Sequence, residues 1–299
     1  MKIPYLDHFG LVEEPYSTSP NPRYLYISPT HNLALEKTKW TIGAKKGLAL
    51  CFGPVGTGKT TLARELAQRI EDDPEMAYVF ITNPNFPTPN QLLRAIIQEF
   101  DVPQTSRNYL DLLNIFKNFL MVQALEQGKT LVLIIDEAQT LKPPLLELLR
   151  QLMNYESNDQ KFIQVVLFAQ EEFRTRLQHP RFRNLVNRTA MSSTLDALSL
   201  AESTAMLRHR WLIAGGKDFP FGDDAIEQLY RYSHGVPRTQ VILADNALLA
   251  AFLLGERTIE AGLIDQVVAD RGLPDTEPEP LPMIKAHTRR RTSARRIEA

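Results

Sequence analysis

A chain of 299 residues, 43% hydrophobic and 23% charged with a formal net charge of −1, has the composition of a globular protein large enough for two domains or one domain with a lid. Its single cysteine, Cys51, excludes an intrachain disulfide, and its six histidines are scattered without metal-ligand spacing. No run approaches the ~18 apolar residues of a membrane span and the first residues carry no signal-peptide core, so the expectation is a cytoplasmic protein with no membrane partner.

Residues 1–30, rich in Pro, Tyr and Ser, read as an irregular packed arm. Within it, Phe9, Leu11, Pro15 and Tyr16 suit either an apolar slot for a nucleotide base or plain core packing. A helical pattern covers 31–42, and an apolar strand follows at 47–52. That strand runs into Gly53, Pro54, Val55, Gly56, Thr57, Gly58, Lys59 and Thr60, after which Thr61 and Leu62 open an amphipathic helix. Glycines let such a loop curl its N–H groups inward, and the helix adds its positive dipole end at the same point. The result is a phosphate cradle, with Thr61 counted among its nucleotide-binding residues. Lys59 can reach the β- and γ-phosphates of a nucleotide, and the Thr60 hydroxyl can sit on Mg²⁺.

A second strand pattern spans 76–82, Thr88 caps a helix with Pro89 in its first turn, and 108–126 gives another amphipathic helix. The β-branched run 131–135 suits a strand buried on both faces, and it ends in Asp136-Glu137-Ala138-Gln139. Ligands bind at the carboxyl ends of strands in open α/β sheets, so Asp136 can hold Mg²⁺ while Glu137 polarises an attacking water. Residues 141–155 read as helix and 164–169 as a buried strand. Gln170 then stands where a side chain can align that water, provided its strand lies beside the acidic one. Arg181, Arg183 and Arg188 follow, and Arg188 is the first choice for a residue supplied in trans to a neighbouring subunit's site.

Past residue 195 the strands cease. Helical patterns at 200–214, 223–233, 237–254 and 259–269, with glycine turns between them, predict a small all-helical lid. Arg238 falls in the first turn after a Gly235-Val236-Pro237 bend, where it can reach a γ-phosphate and report nucleotide state through the lid angle. From Pro274 the composition becomes an acidic proline-rich linker, and Lys285, Arg289, Arg290, Arg291, Arg295 and Arg296 crowd the end. The expected division is an arm and first helix at 1–46, an α/β domain with a parallel sheet sandwiched by helices at 47–195, a lid at 196–273, and a disordered linker with a basic tail at 274–299.

With these residues in place the chain resembles an AAA+ ATPase, a P-loop NTPase, and more narrowly the ExeA-type branch. The match rests on Tyr5-Leu6-Asp7-His8-Phe9-Gly10-Leu11, Glu14-Pro15-Tyr16, Pro22-Arg23-Tyr24-Leu25-Tyr26, Asp136-Glu137-Ala138-Gln139, Gln170 and Gly235-Val236-Pro237-Arg238, and it covers about residues 5–270. By that resemblance Lys59, Thr60, Asp136 and Glu137 carry the nucleotide roles, Gln170 takes the sensor-one position and Arg238 the sensor-two position. Ala169 departs from the glycine usual before that glutamine. The resemblance implies ATP and Mg²⁺ as cofactors and a homo-oligomer, ring or filament, as the working form. Stand-alone proteins of similar build, of the TnsC and MuB kind, polymerise on duplex DNA and present it to a transposase. Duplex DNA and a transposase or other client protein are therefore the expected partners. Two other readings stay open: a soluble secretion-pathway relative that remodels an envelope complex, and a nucleotide-gated scaffold with negligible turnover.

Overall fold

The computed structural model describes residues 3–271. Its elements are α1 (Tyr5–Phe9), α2 (Pro29–Gly43), β1 (Leu48–Phe52), α3 (Lys59–Glu71), β2 (Met76–Ile81), α4 (Pro89–Glu99), α5 (Tyr109–Met121), β3 (Thr130–Ile135), α6 (Pro143–Leu152) and β4 (Ile163–Ala169). They continue with α7 (Glu171–Leu177), α8 (Arg183–Val186), β5 (Thr189–Thr194), α9 (Leu200–Ile213), α10 (Asp223–Ser233), α11 (Pro237–Leu254) and α12 (Ala261–Asp270). The linker and basic tail expected over 274–299 lie outside the described residues.

The five strands form one parallel sheet in the order β2-β3-β4-β1-β5. Side chains alternate across a strand, so each strand supplies two cores. Leu50, Phe52, Leu133, Ile135, Val165 and Leu167 face one layer with α4, α5 and α6. Ala49, Cys51, Val132, Ile134, Val166 and Phe168 face the other, with α2 and α3. Helices therefore cover both faces, as the sequence alternation predicts. Register is the feature that builds a site: Ile81 pairs with Ile135, Ile135 with Leu167, and Phe52 with Ala169. Three chain segments consequently leave the same edge of the sheet together.

Local chemistry explains most boundaries. Thr88 accepts the Gln91 N–H at 3.3 Å and caps α4 behind Pro89, and Ser199 with Glu202 forms a reciprocal capping box on α9. Helix α6 starts at Pro143, two residues later than the pattern suggests, because residues 138–140 form a tight 3-10 turn. Helix α5 passes into a π-helical turn, Val122–Glu126, within the single helix read from the sequence. The fifth strand has no hydrophobic signature. Its sequence, Thr-Ala-Met-Ser-Ser-Thr, is that of a half-exposed edge strand under α2.

The arm is less irregular than expected. It holds α1 and a 3-10 turn at Pro22–Tyr24, and it is built into the helical lid. Tyr5, Leu6, Leu11, Tyr16 and Tyr24 share one buried core with residues of α9 to α12. Arg210 of α9 fixes the arm's backbone, donating from Nε to Pro15 O at 2.9 Å and from Nη2 to Ser17 O at 2.6 Å.

A close backbone contact ties the segment that enters the lid from the sheet to the turn before α11. Gly235 has φ +76°, its carbonyl accepts the Leu198 N–H at 2.9 Å, and a Cβ there would lie 2.0 Å from Leu198 O. A side chain at this position meets both a left-handed backbone and main-chain atoms that cannot move aside. Gly235→Ala should therefore lower unfolding stability by at least about 2 kcal/mol in urea denaturation; an unchanged midpoint would contradict the packing described.

Candidate functional site

The segments leaving that common edge carry the polar residues of a single cleft. After β1 comes the loop Gly53–Gly58, with Gly56 at φ +84° and Gly58 at φ +95°. It is a cradle that side chains would fill. A Cβ at Gly53 would stand 2.8 Å from Leu195 O, at Gly56 2.9 Å from Arg238 Cβ, and at Gly58 3.0 Å from His31 Nε2. Thr57 braces the loop by donating its hydroxyl to Pro54 O at 2.9 Å, and Val55 stands exposed at the tip. Helix α3 then begins at Lys59, and its N-terminal N–H groups face the loop.

Lys59 is only 6% exposed, and its ammonium donates to Gly53 O and Pro54 O, both at 2.7 Å. Burial depresses its pKa from the ordinary lysine value, while the Glu137 and Asp136 carboxylates pull it back up. Thr60 donates its hydroxyl to Asp136 Oδ2 at 2.5 Å, and the Glu137 N–H donates to Asp136 Oδ1 at 2.9 Å. Asp136 is 2% exposed; burial raises its pKa against the lowering effect of those two donors. A half-buried hydroxyl paired with a buried carboxylate, beside a buried ammonium and a glycine-rich loop at a helix N-terminus, fits a magnesium-bound nucleoside triphosphate. Thr60 and Asp136 have the oxygen donors that Mg²⁺ prefers, and Lys59 and the loop supply positive potential for phosphate.

Glu137 follows at φ +52°, a left-handed conformation that costs a side-chain-bearing residue roughly 1–3 kcal/mol unless its surroundings hold it. Its Oε2 accepts the side-chain amides of Gln170, at 3.3 Å, and of Gln139. The condition set on Gln170 is met, because β4 lies directly beside β3. Arg238 enters from the lid: its N–H, one of the free donors at the start of α11, bonds Gly56 O at 3.2 Å. Lys59, Thr60, Thr61, Glu137, Gln170 and Arg238 all line this cleft, and Asp136 lies beneath it.

Of the two readings open for Phe9, Leu11, Pro15 and Tyr16, core packing is the one found, and none of them lines the cleft. Phe9 packs edge-on to Trp211, and Tyr16 is buried against Phe221 with its hydroxyl on Leu207 O at 3.2 Å. The lining beyond the phosphate loop and strand ends includes residues 17–21, Tyr24 and Tyr26 of the arm and Leu198, Met206 and Val241 of the lid. Arg188 precedes β5, at the amino edge of the sheet, where it donates to Met153 O at 3.4 Å and to the Asn154 side chain. It cannot reach its own phosphate loop. Arg181 stacks 4.5 Å over Phe182 and Arg183 is exposed.

Sequence reading missed His31, Arg210 and Arg176. His31 is buried in the first turn of α2, donates from Nε2 to Thr57 O at 2.9 Å, and presents Nδ1 to the Ser28 hydroxyl at 2.6 Å. Arg176 of α7 donates to Gln139 O and Leu141 O, each at 2.8 Å, and so pins the turn after Glu137. All three act through main-chain carbonyls of distant segments, which leave no motif.

Residues 43–177 match the family model of the AAA domain. General secretion pathway protein A of Aeromonas hydrophila is 39% identical over 259 residues, which is 86% of this chain but 47% of that protein. The chain thus spans about half the length of this relative. Among solved structures, the Aeropyrum pernix ORC2 protein in its ADPNP–ADP complexes superposes with a TM-score of 0.66 at 17% identity, over 86% of this chain and 71% of that one. Drosophila ORC bound to DNA gives 0.66 at 16% identity, over 87% and 65%. The chain has the P-loop AAA+ fold, with helices following the sheet as a C-terminal lid.

Burial holds the His31 pKa below its ordinary value of 6.5, so the native imidazole stays neutral where the unfolded one takes a proton. Its contribution to stability is complete above that unfolded value and is lost as pH falls below it. Between about pH 7.5 and pH 5 the native protein should lose unfolding stability relative to His31→Gln, read by thermal melts of both. Parallel pH profiles would contradict the neutral, buried assignment.

Proposed function

We propose that this chain is an AAA+ ATPase of the ExeA-type branch that binds and hydrolyses ATP with Mg²⁺ in this cleft and works as a nucleotide-dependent oligomer. The observation that carries the reading is the convergence of Lys59, the Thr60–Asp136 pair, Glu137 and Gln170 on one phosphate cradle at adjoining strand ends. Magnesium, when bound, neutralises charge developing on the transferred phosphoryl group. Thr60 and Asp136 hold it, and Lys59 offsets the negative charge of the β- and γ-phosphates. Glu137 takes the proton of the attacking water, and Gln170 orients that water. Arg238, whose backbone already rests on Gly56, links the lid to the occupant of the loop. Residues 47–195 act as the sheet domain, 196–273 as the lid and 1–46 as the arm that joins them. Arg188, at the opposite sheet edge, serves a neighbour's cleft, a contribution that typically accelerates hydrolysis about 10³- to 10⁵-fold.

For the client, we favour duplex DNA, with the protein regulating transposition or a related DNA transaction in the manner of the TnsC and MuB proteins and presenting the DNA to a transposase. The basic residues between Lys285 and Arg296 and the likeness of fold to an ORC protein bound to DNA support this. The alternative is an ExeA-like secretion-pathway ATPase remodelling an envelope protein complex, and the 39% identity to General secretion pathway protein A supports that reading. No helix among the described residues is long and apolar enough to cross a membrane. We place the protein in the cytoplasm.

Three measurements test these readings. Glu137→Gln should keep ATP affinity, lower steady-state phosphate release by about 10²-fold or more and accumulate an ATP-bound oligomer; release equal to the native rate would make the protein a nucleotide-gated scaffold instead. Arg188→Ala should leave ATP binding intact and slow hydrolysis only at concentrations where subunits assemble, so a native rate in the assembled state rejects the trans role. Duplex DNA binding with ATP should weaken with salt at a log–log slope about 5 units steeper in the full chain than without residues 275–299, if the tail's cations all meet phosphates. Absence of ATP-stimulated DNA binding by either protein removes DNA as the client and leaves the secretion reading.

A further inference from the structure

Gln139 lies in the short turn after Glu137, and its side chain spans two strand ends. Its amide nitrogen donates to Glu137 Oε2, and its carbonyl Oε1 accepts the backbone N–H of Gln170 at 3.2 Å. The Gln170 side-chain amide donates to the same Glu137 oxygen at 3.3 Å. Two amides converge on one carboxylate oxygen, so Oε1 of Glu137 is left as the oxygen with lone pairs directed elsewhere. The backbone around this ring is also tied down. Thr140 donates its hydroxyl to Glu137 O at 2.9 Å, and Arg176, stacked 4.8 Å over Phe173, grips the carbonyls of Gln139 and Leu141.

The two glutamines differ in what they are free to do. Gln170 lines the cleft and, to orient a water, must turn its amide away from Glu137. Gln139 does not line the cleft, and both ends of its amide are committed inside the protein. We propose that Gln139 is a positioning residue for Glu137: it fixes which carboxylate oxygen acts as the base and keeps it fixed while Gln170 exchanges Glu137 for the reacting groups. The inference rests on the reading of Glu137 as the general base. It also gives the left-handed backbone at Glu137 a purpose, since that conformation, held by the clamp, delivers the carboxylate to both amides at once.

Gln139→Met keeps the length of the side chain and removes both hydrogen bonds. In the Mg²⁺–ATP reaction it should lower kcat about 10- to 100-fold and leave KM and the ATP dissociation constant within about twofold of native. In a Glu137→Gln background the same change should cost nothing further, because the carboxylate it positions is gone. A second readout needs no turnover. The Gln170 amide loses its acceptor, so its hydrogen exchange in protein without nucleotide should quicken about tenfold or more. Gln139→Glu still offers Gln170 an acceptor but cannot donate to Glu137, so it should restore slow exchange without restoring kcat. That variant also keeps the test open if the methionine protein fails to fold. A native kcat in Gln139→Met, an equal fractional loss in both backgrounds, or unchanged exchange at Gln170 overturns the proposal. Absence of hydrolysis by the native protein sinks the ATPase reading itself, whereas hydrolysis indifferent to Gln139→Met sinks this inference alone.

Discussion

Parallel pairing in a fixed register is the constraint on which everything else rests. Because Phe52 lies opposite Ala169 and Ile135 opposite Leu167, two residues short of that end, the phosphate loop, the Asp136–Glu137 pair and Gln170 emerge from the same edge of the sheet. A slip of one residue in any of these strands would turn its side chains to the opposite face and break two cores at once. The continuous apolar runs of β1, β3 and β4, buried on both sides, hold that register. Hydrophobic packing thus does for the site what no polar contact could: it places a buried ammonium and two carboxylates at one edge without their having to find each other through solvent-exposed loops.

The lid is not an appendage on a single tether. The arm and the C-terminal helices form one core, and chain passes between this body and the sheet at residues 25–28 and again at 195–199. Both crossings border the cleft. At the first, His31 holds Thr57 O, and at the second, Leu198 and Gly235 bond across the entrance to α11, which sets Arg238 on Gly56. A ligand that changed the shape of the phosphate loop would push on both crossings together, which is the coupling that a nucleotide-sensing lid requires. Gln139 and Arg176 extend the same logic to the other side of the cleft, where the ends of β3 and β4 are tied across Glu137.

How much of this could be read in advance follows from where the information lies. The phosphate loop, the Asp136–Glu137 pair, the capped helix α4 and the strands β1 to β4 are written in short contiguous patterns, and each stands where the pattern put it. Strand β5 is polar because it is a half-exposed edge, so neither alternation nor a hydrophobic run announces it. The two readings of Phe9, Leu11 and Tyr16 could not be separated for a related reason: an apolar side chain does not say whether its neighbour is a ligand or, as here, the lid. His31, Arg176 and Arg210 were invisible because each grips carbonyls far away in sequence, and every residue offers a carbonyl. The Asp-Glu-Ala-Gln motif did display Gln139, but only the adjacency of β3 and β4 gave it something to hold.

The central claim is that the cradle between Gly53 and Thr60 takes up a magnesium-bound adenine nucleotide. Calorimetric titration of ATP with Mg²⁺ into the folded native protein and into Lys59→Ala tests it most directly. The account predicts saturable uptake by the native protein and none by the variant, which lacks the buried ammonium. No heat of binding to native protein, or the same isotherm for both, would contradict it.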